Sequence, residues 1–266
     1  MTVELSVIIV NYNGKRFLQD CLDSLYRSLD NITFEIIVLD NNSTDDSCCF
    51  LQTNFPEVEL IQSAVNLGFG KGNNKAVELA NGNYLLLINN DTVVLDPISP
   101  ALDLLKSDNT IGVIGINMLN GDAKYLTAAG NFPNFKNMLR MKYLLQLSGD
   151  FKTQDFKRDS YDVDWLGGSF LLLNKETYTK VGGFDQDYFM YVEDVDLCRK
   201  IANLGLRRVF FPKISYLHFV GFNKSKNPLL VRGYEIYIAK HYRGYKKTLL
   251  SVALLINKTV KRLKDI

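Results

Sequence analysis

The sequence predicts an α/β domain with a mixed, mostly parallel central sheet, and three observations support this prediction. Short apolar runs rich in branched residues recur along the first hundred residues, as strands buried on both faces require. Stretches with apolar residues at spacings of three and four lie between some of these runs. Several of the runs end in clusters of Asn or Asp. Strands alternating with helices favour a parallel sheet, whose ligands bind beyond the carboxyl ends of the strands.

The predicted elements alternate along the chain. Strands are predicted at residues 5–10, 34–39, 58–62, 84–88, 111–116, 170–173 and 209–212. Helices are predicted at residues 17–29, 71–80, 193–205 and 232–266. Residues 120–162 show only weak periodicity, which is typical of a long functional or mobile loop.

Composition limits the classes of function. The chain has 266 residues, of which 47% are apolar and 23% charged, as in folded globular proteins. A net charge of +2 excludes a simple polyelectrolyte-binding protein, so no nucleic-acid partner is expected. Four cysteines without a C-x-x-C pair and two histidines cannot form a zinc finger, and they favour a reducing, cytoplasmic compartment. No targeting or membrane-spanning segment is predicted.

The charge is concentrated at one end of the chain. Residues 222–266 carry eleven Lys and Arg against two acidic residues, a net charge of +9, which leaves −7 for residues 1–221. In this tail an apolar stripe runs from Leu249 to Leu263 between lysines. The pattern fits an interfacial helix on an anionic membrane at the inner face of the cell membrane. It fits equally a helix packed on the body or on a second subunit, as in a homodimer.

Polar residues follow the predicted strands. Asn11, Asp40, Asn42, Asn66 and Asp91 lie just past apolar runs. For either aspartate alone, ordinary turn chemistry is the simpler explanation, because Asx side chains bond to their own backbone. Several such loops at one edge of one sheet favour a ligand site.

The glycine-rich segment at residues 66–73 allows three interpretations. A dinucleotide fingerprint is disfavoured, because that motif belongs at the first strand–helix turn, which here carries only Gly14. A phosphate-binding loop would use exposed backbone N–H groups and the charge of Lys71. A flexible connector is the third possibility.

Three further candidates lie in the second half of the chain. Trp165 either packs in the core or offers a platform for a sugar ring. Glu193 and Asp194 lie in the first turn of a predicted helix, where acids complement the helix dipole or supply a general base. His218 is either a core histidine or, with Asp91, a two-ligand site for Mg²⁺ or Mn²⁺ completed by phosphate and water.

Six motifs in this order resemble family-2 glycosyltransferases, most closely the bacterial rhamnosyltransferase-like branch. The resemblance runs from about residue 5 to 243. The motifs are residues 6–14 (SVIIVNYNG), 38–45 (VLDNNSTD), 66–70 (NLGFG), 89–91 (NND), 165–168 (WLGG) and 193–198 (EDVDLC).

The resemblance implies a GT-A fold and assigns roles by position. Residues 1–222 would form the glycosyltransferase domain, with a nucleotide-sugar half at 1–97 and an acceptor half at 98–222. Residues 223–266 would form a basic amphipathic helical tail. The implied donor-binding residues are Asn11, Asn13, Asp40, Asn42, Asn66, Gly68, Lys71, Asn90 and Asp91. The implied acceptor-binding residues are Trp165, Gly167 and Gly168.

The resemblance also implies the chemistry. Asp194 matches the catalytic base of the Glu-Asp motif, with Glu193 beside it. Asp91 matches the last residue of the metal motif, and His218 the histidine that completes the metal site for Mg²⁺ or Mn²⁺. Asn89 departs from the family, because many relatives have an acid there. One carboxylate fewer implies weaker metal binding.

The implied activity is inverting transfer of a sugar, rhamnose among the candidates, from a nucleoside-diphosphate sugar to a saccharide or lipid-linked acceptor in bacterial surface polysaccharide synthesis. The alternative is a catalytically inactive nucleotide-sugar-binding or assembly partner. A nucleotidyltransferase is disfavoured, because residues 11–14 lack the glycine- and arginine-rich first loop of that class.

Overall fold

The computed structural model describes residues 2–147, 149–219 and 226–264. Its strands are β1 Leu5–Asn11, β2 Phe34–Asp40, β3 Glu59–Gln62, β4 Tyr84–Asn89, β5 Thr92–Val94, β6 Ile111–Leu119, β7 Tyr125–Leu126, β8 Ala129–Gly130, β9 Tyr161–Asp162, β10 Trp165–Leu166, β11 Phe170–Asn174 and β12 Arg207–His218. Its helices are α1 Lys15–Ser28, α2 Ser47–Asn54, α3 Phe69–Val77, α4 Ser99–Ser107, α5 Phe135–Leu139, α6 Asp150–Thr153, α7 Lys175–Lys180, α8 Glu193–Asn203, α9 Lys226–His241 and α10 Gly244–Lys264, with a 3₁₀ turn at Met141–Leu144.

A ten-stranded mixed sheet runs through the molecule in the order β3-β2-β1-β4-β11-β6-β12-β5, with β7 and β9 paired at its side. The first four strands of this order are parallel. Strand β11 inserts antiparallel between β4 and β6, and β12 pairs parallel with β6 and antiparallel with β5. The predicted mixed, mostly parallel sheet is confirmed.

Two apolar layers cover the two faces of the sheet. In β1, Val7 and Ile9 face the layer that contains α1, α2 and α4, whereas Ile8 faces the layer that contains α3, α8, α9 and α10. Because both faces of the sheet are covered, successive strand residues are apolar on either face, and the strands are continuous apolar runs in the sequence.

The register of the parallel strands places their polar ends side by side. Asn11 pairs with Asp40, and Val10 pairs with Asn89. The polar loops that follow β1, β2 and β4 therefore meet at one edge of the sheet, as predicted from the sequence.

The region from residue 120 to 162 is not one long loop, contrary to the prediction. It contains β7, β8, β9, α5 and α6, with Ser148 outside the described residues. Phe151, Phe156 and Tyr161 pack around Phe210 of β12 with ring centroids 5.1–5.7 Å apart. Aromatic contacts therefore hold this region to the sheet, and such contacts leave no regular periodicity in the sequence.

The tail forms two helices with different surroundings, not the single helix predicted. Helix α9 buries Val231, Tyr234, Tyr237 and Ile238 in the core, and α10 buries residues on one side only. The predicted domain boundary at 222/223 lies outside the described residues. Among the described helices, none is both long and apolar enough to span a membrane.

Candidate active site

A cavity of about 570 Å³ opens at the carboxyl ends of β4 and β12. The turn between β10 and β11, the first turn of α8 and one face of α9 form further parts of its wall. The predicted residues that line it are Asp91, Trp165, Gly167, Gly168, Glu193, Asp194 and His218. The structure thus brings together residues that lie more than a hundred positions apart in the chain.

Asp91 and His218 form the polar pair on one side of the cavity. Oδ1 of Asp91 lies 3.2 Å from Nε2 of His218, and both side chains are largely buried. The pairing of β5 with β12 holds them together, because the Phe219 N–H donates to the Asp91 carbonyl at 3.0 Å. His218 is buried, as the core interpretation expects, and it faces Asp91, as the metal-ligand interpretation expects, so its role as a metal ligand stays a prediction.

The same two atoms fit a shared divalent cation. Oδ1 of Asp91 is buried and accepts no hydrogen bond from the residues that the structure describes. Two ligands about 2.1 Å from one octahedral ion lie about 3 Å apart, close to the observed 3.2 Å. Within the described ranges no group of three or more His, Cys, Asp or Glu could enclose an ion, so further ligands would come from elsewhere.

Asn89 is the residue at which the sequence departs from the metal motif of the family that it resembles. Its Nδ2 lies 3.3 Å from Nε2 of His218, and its Oδ1 is buried without a partner in the described part of the chain. The amide therefore adds no charge next to Asp91. The Asp91–His218 pair therefore contains a single carboxylate.

Asp194 is held by two backbone donors. The Gly168 N–H donates to Oδ2 at 3.0 Å and the Val195 N–H donates to Oδ1 at 2.8 Å. Burial raises the pKa of Asp194 above its usual range, and these two donors oppose part of that rise. A fixed, partly desolvated carboxylate at a cavity wall has the properties of a general base.

Glu193 is more deeply buried than its neighbour. Its side chain is 5% exposed, and Oε2 has no hydrogen-bond partner among the described residues. Burial, followed by the charge of Asp194, raises the pKa of Glu193 well above its usual range. Burial thus disfavours the ionised form of both carboxyls, and Glu193 has the charge of Asp194 against it as well.

The turn before these acids is strained. Tyr191 has φ 70° and Val192 has φ 76°, in the left-handed region that a β-branched residue seldom occupies. Such a conformation costs about 1–3 kcal/mol, which the surrounding packing must offset. It directs the first turn of α8, with both carboxyls, to the cavity.

A network of polar side chains lies outside the cavity at the ends of β1, β2 and β4. Asn11 is fully buried and donates from Nδ2 to Oδ1 of Asp40 at 2.8 Å. Its Oδ1 accepts from Nδ2 of Asn90 at 2.7 Å. The Ser43 N–H donates to the second oxygen of Asp40. Asp40 is only 2% exposed, so the structure shows it organising the loop. A direct nucleotide contact of Asp40 stays a prediction.

Three more residues predicted to bind the nucleotide-sugar are Asn13, Asn42 and Lys71. Oδ1 of Asn13 accepts from the N–H of Thr44 at 2.7 Å, which ties the first loop to the second. Asn42 is exposed with φ 68°. Lys71 is also exposed, in the first turn of α3. Their contacts with a donor stay predictions.

The glycine segment has a packing role that the sequence did not predict. Gly68 has φ +80°, and a Cβ there would lie 2.3 Å from the Phe189 carbonyl oxygen. Oδ1 of Asn66 accepts from the Gly68 N–H at 2.9 Å. Helix α3 starts at Phe69, two residues earlier than predicted. The glycines seat α3 closely on the segment before α8.

Asn41 has a structural role near the site that the sequence pattern does not predict. It is 2% exposed, and its Nδ2 donates to the Gly68 carbonyl at 3.0 Å. Its Oδ1 accepts from the Leu67 N–H at 2.9 Å. Asn41 therefore joins the loop after β2 to the glycine segment. In the sequence it is one of several Asx residues in a row, with nothing to distinguish it.

Trp165 packs as a core residue. It is 7% exposed, and its Nε1 donates to the Asn131 carbonyl at 2.9 Å. A Cβ on Gly130 would lie 2.3 Å from the indole. An indole so enclosed offers little surface to a sugar ring. Contact of an acceptor with Trp165, Gly167 or Gly168 stays a prediction.

Comparison with known proteins agrees with this geometry. The profile of glycosyl transferase family 2 matches residues 6–191. The N-acetylglucosaminyl-diphospho-decaprenol L-rhamnosyltransferase of Mycobacterium tuberculosis H37Rv is 26% identical over 249 residues, 86% of this chain and 80% of that protein. The rhamnosyltransferase WbbL of Escherichia coli K12 is 28% identical over 228 residues, 80% of this chain and 82% of that protein.

Solved structures share the fold. The crystal structure of GalNAc-T7 with UDP, GalNAc and Mn²⁺ superposes with a TM-score of 0.71, covering 92% of this chain and 49% of that chain at 16% identity. The GT-A architecture expected from the sequence is confirmed.

Proposed function

This chain belongs to glycosyl transferase family 2, and we propose that it transfers rhamnose from a nucleoside-diphosphate sugar to a saccharide or lipid-linked acceptor in surface polysaccharide synthesis. Its glycosyl transferase activity follows from the family, whose members invert configuration and use nucleotide-sugar donors. The names of both relatives suggest rhamnose, and the name of the mycobacterial relative suggests a lipid-linked acceptor.

One observation supports the proposal most: a candidate base and a candidate metal pair share one cavity. Asp194 lines the same cavity of about 570 Å³ as Asp91 and His218. Transfer requires both a base for the acceptor and a site that neutralises a diphosphate leaving group. An inactive binding partner would need only the second of these.

The chain's own residues account for the proton and the geometry of the reaction. As the acceptor oxygen attacks the anomeric carbon, its proton passes to Asp194. The bond between that carbon and the diphosphate oxygen breaks, and the diphosphate leaves with the electron pair. A single displacement from the opposite face inverts the configuration, so no enzyme nucleophile is required.

Asp91 and His218 would hold Mg²⁺ or Mn²⁺, because their facing atoms fit one divalent ion. When bound, the ion neutralises charge on the diphosphate. Asn89 contributes no charge, so affinity for the free metal should be low and should rise with the donor diphosphate present. The polar loops around Asn11, Asp40 and Lys71 would bind the nucleotide.

The test is release of nucleoside diphosphate from dTDP-rhamnose, UDP-sugars and GDP-sugars, with Mg²⁺, Mn²⁺ or EDTA. A short-chain N-acetylglucosaminyl-diphospho-prenol serves as acceptor. Metal-dependent release of one nucleoside diphosphate supports the proposal and names the donor. Binding without release, with the acceptor present, would favour the inactive assembly partner.

We also infer that α10 docks on an anionic membrane surface. One sector of the helix, about 140° wide at 100° per residue, is solvent-exposed and apolar except for Thr248 and Thr259. Its apolar members, each 44–76% exposed, are Tyr245, Leu249, Val252, Leu255, Ile256 and Val260. Residues 244–264 also contain six Lys and Arg and no acid. An apolar face on a cationic helix suits anionic lipid.

Vesicle sedimentation tests this inference. The double substitution Val252→Asp with Ile256→Asp should abolish binding to phosphatidylglycerol vesicles. Val65→Asp with Leu95→Asp, at exposed apolar positions elsewhere, is the matched control and should bind as the unaltered protein does. A dimer in analytical ultracentrifugation that the α10 substitutions dissociate, without vesicle binding, would overturn the inference and assign the face to a second copy.

A further inference from the structure

Helix α9 lies outside the residues matched by the family profile and yet forms part of the cavity wall. The profile ends at residue 191, whereas α9 spans Lys226–His241. Leu230 and Tyr234 of this helix line the cavity together with Asp194. Their neighbours Val231 and Ile238 are buried in the core, so α9 is a fixed wall.

Gly233 allows this close approach. A Cβ at Gly233 would lie 2.7 Å from the Tyr191 carbonyl oxygen and 2.7 Å from the Val192 side chain. Helix α9 therefore rests directly on the turn that precedes Glu193. Tyr234, the next residue, is placed next to the first turn of α8, which carries both carboxyls.

The hydroxyl of Tyr234 is available for a ligand. Tyr234 is 4% exposed and lines the cavity. Its hydroxyl makes no hydrogen bond with any residue that the structure describes. Burial first, and then the negative charge of Asp194, raise the pKa of Tyr234, so the hydroxyl keeps its proton close to the base. Because Tyr234 lines the cavity, a hydroxyl that bonds to none of the described residues can donate to a molecule bound there.

We propose that the hydroxyl of Tyr234 donates a hydrogen bond to an oxygen of the acceptor saccharide, next to the hydroxyl that Asp194 deprotonates. Tyr234 is thus an acceptor-binding residue that orients the nucleophile. It moves no proton itself. The assignment rests on the proposed sugar transfer, of which it specifies the acceptor side.

Tyr234→Phe tests the assignment, because it removes one oxygen and keeps the ring in place. With dTDP-rhamnose as donor and the N-acetylglucosaminyl-diphospho-prenol as acceptor, KM for the acceptor should rise about three- to tenfold. KM for the donor, and donor hydrolysis without acceptor, should not change. A residue that only supports the fold would not separate acceptor from donor in this way.

Tyr237→Phe is the matched control. Tyr237 is fully buried on the same helix, and its hydroxyl accepts from Arg199 at 3.0 Å, away from the cavity lining. It should lower the unfolding midpoint while leaving KM for the acceptor unchanged. An unchanged acceptor KM in Tyr234→Phe would overturn the assignment alone. Absence of transfer by the unaltered protein would overturn the proposed function and the assignment together.

Discussion

The backbone N–H of Gly168 donates a 3.0 Å hydrogen bond to Oδ2 of Asp194, which fixes the candidate base against the turn that follows β10. The contact depends on packing between β10 and α8, where the Leu166 N–H lies 3.4 Å from Sγ of Cys198. Each carboxylate oxygen keeps a second lone pair, so the fixed group can still accept a proton. Asp194 is therefore oriented before any substrate binds.

The pH dependence of turnover should reflect the environment of Asp194. Because burial raises its pKa, the acidic limb of kcat against pH should lie above pH 3.8, the ordinary value for aspartate. Turnover should fall as pH decreases through that limb. An acidic limb at or below pH 3.8 would contradict the role of Asp194 as the base.

Substitution of either member of the Asp91–His218 pair should weaken metal-dependent donor binding. Asp91→Ala and His218→Ala each remove one of the two atoms that face each other at 3.2 Å. Calorimetric titration of dTDP-rhamnose with Mn²⁺ should show at least about a tenfold loss of affinity, as typical for loss of a metal ligand or its support. Binding in EDTA should change little.

Asp20→Ala, at an exposed position on α1, is the control for the metal pair. It should leave the titration unchanged. Donor affinity that is the same in Asp91→Ala and in the unaltered protein, with Mn²⁺ present, would remove Asp91 from the metal site.

Glu193→Gln should stabilise the protein at neutral pH. The pKa of Glu193 is raised in the folded state, so the unfolded chain releases the proton first as pH rises above about 4.5. The free energy of unfolding therefore falls as pH rises from that value towards the folded-state pKa. Glutamine resembles the protonated form and lacks this loss. The unfolding midpoint of Glu193→Gln should exceed that of the unaltered protein at pH 7 and match it at pH 4.

Glu59→Gln on the exposed edge strand β3 is the control for this experiment. It should show no such difference between pH 4 and pH 7. If Glu193→Gln were less stable than the unaltered protein at pH 7, Glu193 would be ionised and paired in the folded state.

Asn41→Ala should loosen the glycine segment. Its amide bonds to Leu67 and Gly68 would be lost, leaving one N–H and one carbonyl without that partner. The expected loss in the free energy of unfolding is about 1–3 kcal/mol, measured by urea denaturation. Asn42→Gly, at the exposed neighbour with φ 68°, should change it far less. Equal effects of the two substitutions would contradict the bridging role of Asn41.

The sequence predicted the architecture because strand and helix periodicities are local. The runs at β1, β2 and β4 are apolar on both faces. Parallel pairing of these strands places the polar residues at their ends side by side. The antiparallel insertion of β11 between β4 and β6 was not predictable, because an apolar run does not encode strand direction. The roles of Asp194 and His218, which residue patterns alone left ambiguous, were predicted from the family resemblance.

Other parts of the site depend on contacts between distant segments. Tyr234 lies on α9, which the sequence predicted as part of a basic helical tail. Its place in the cavity wall depends on Gly233, where the absence of a side chain lets α9 approach the turn before α8. A side chain at position 68 would collide with Phe189, more than a hundred positions away, and this contact explains the role of Gly68. The sequence left Trp165 open between core packing and a sugar platform, and the packing of Gly130 against the indole favours the core role.

In the proposed reaction Asp194 removes the acceptor proton, and Asp194→Asn tests this role most directly. The amide retains one oxygen that accepts from the backbone, so the fold and the donor site should persist. We expect donor affinity to change less than about twofold and kcat for transfer to fall by a factor of hundreds or more. Full turnover by Asp194→Asn, with donor affinity unchanged, would show that Asp194 is not the base.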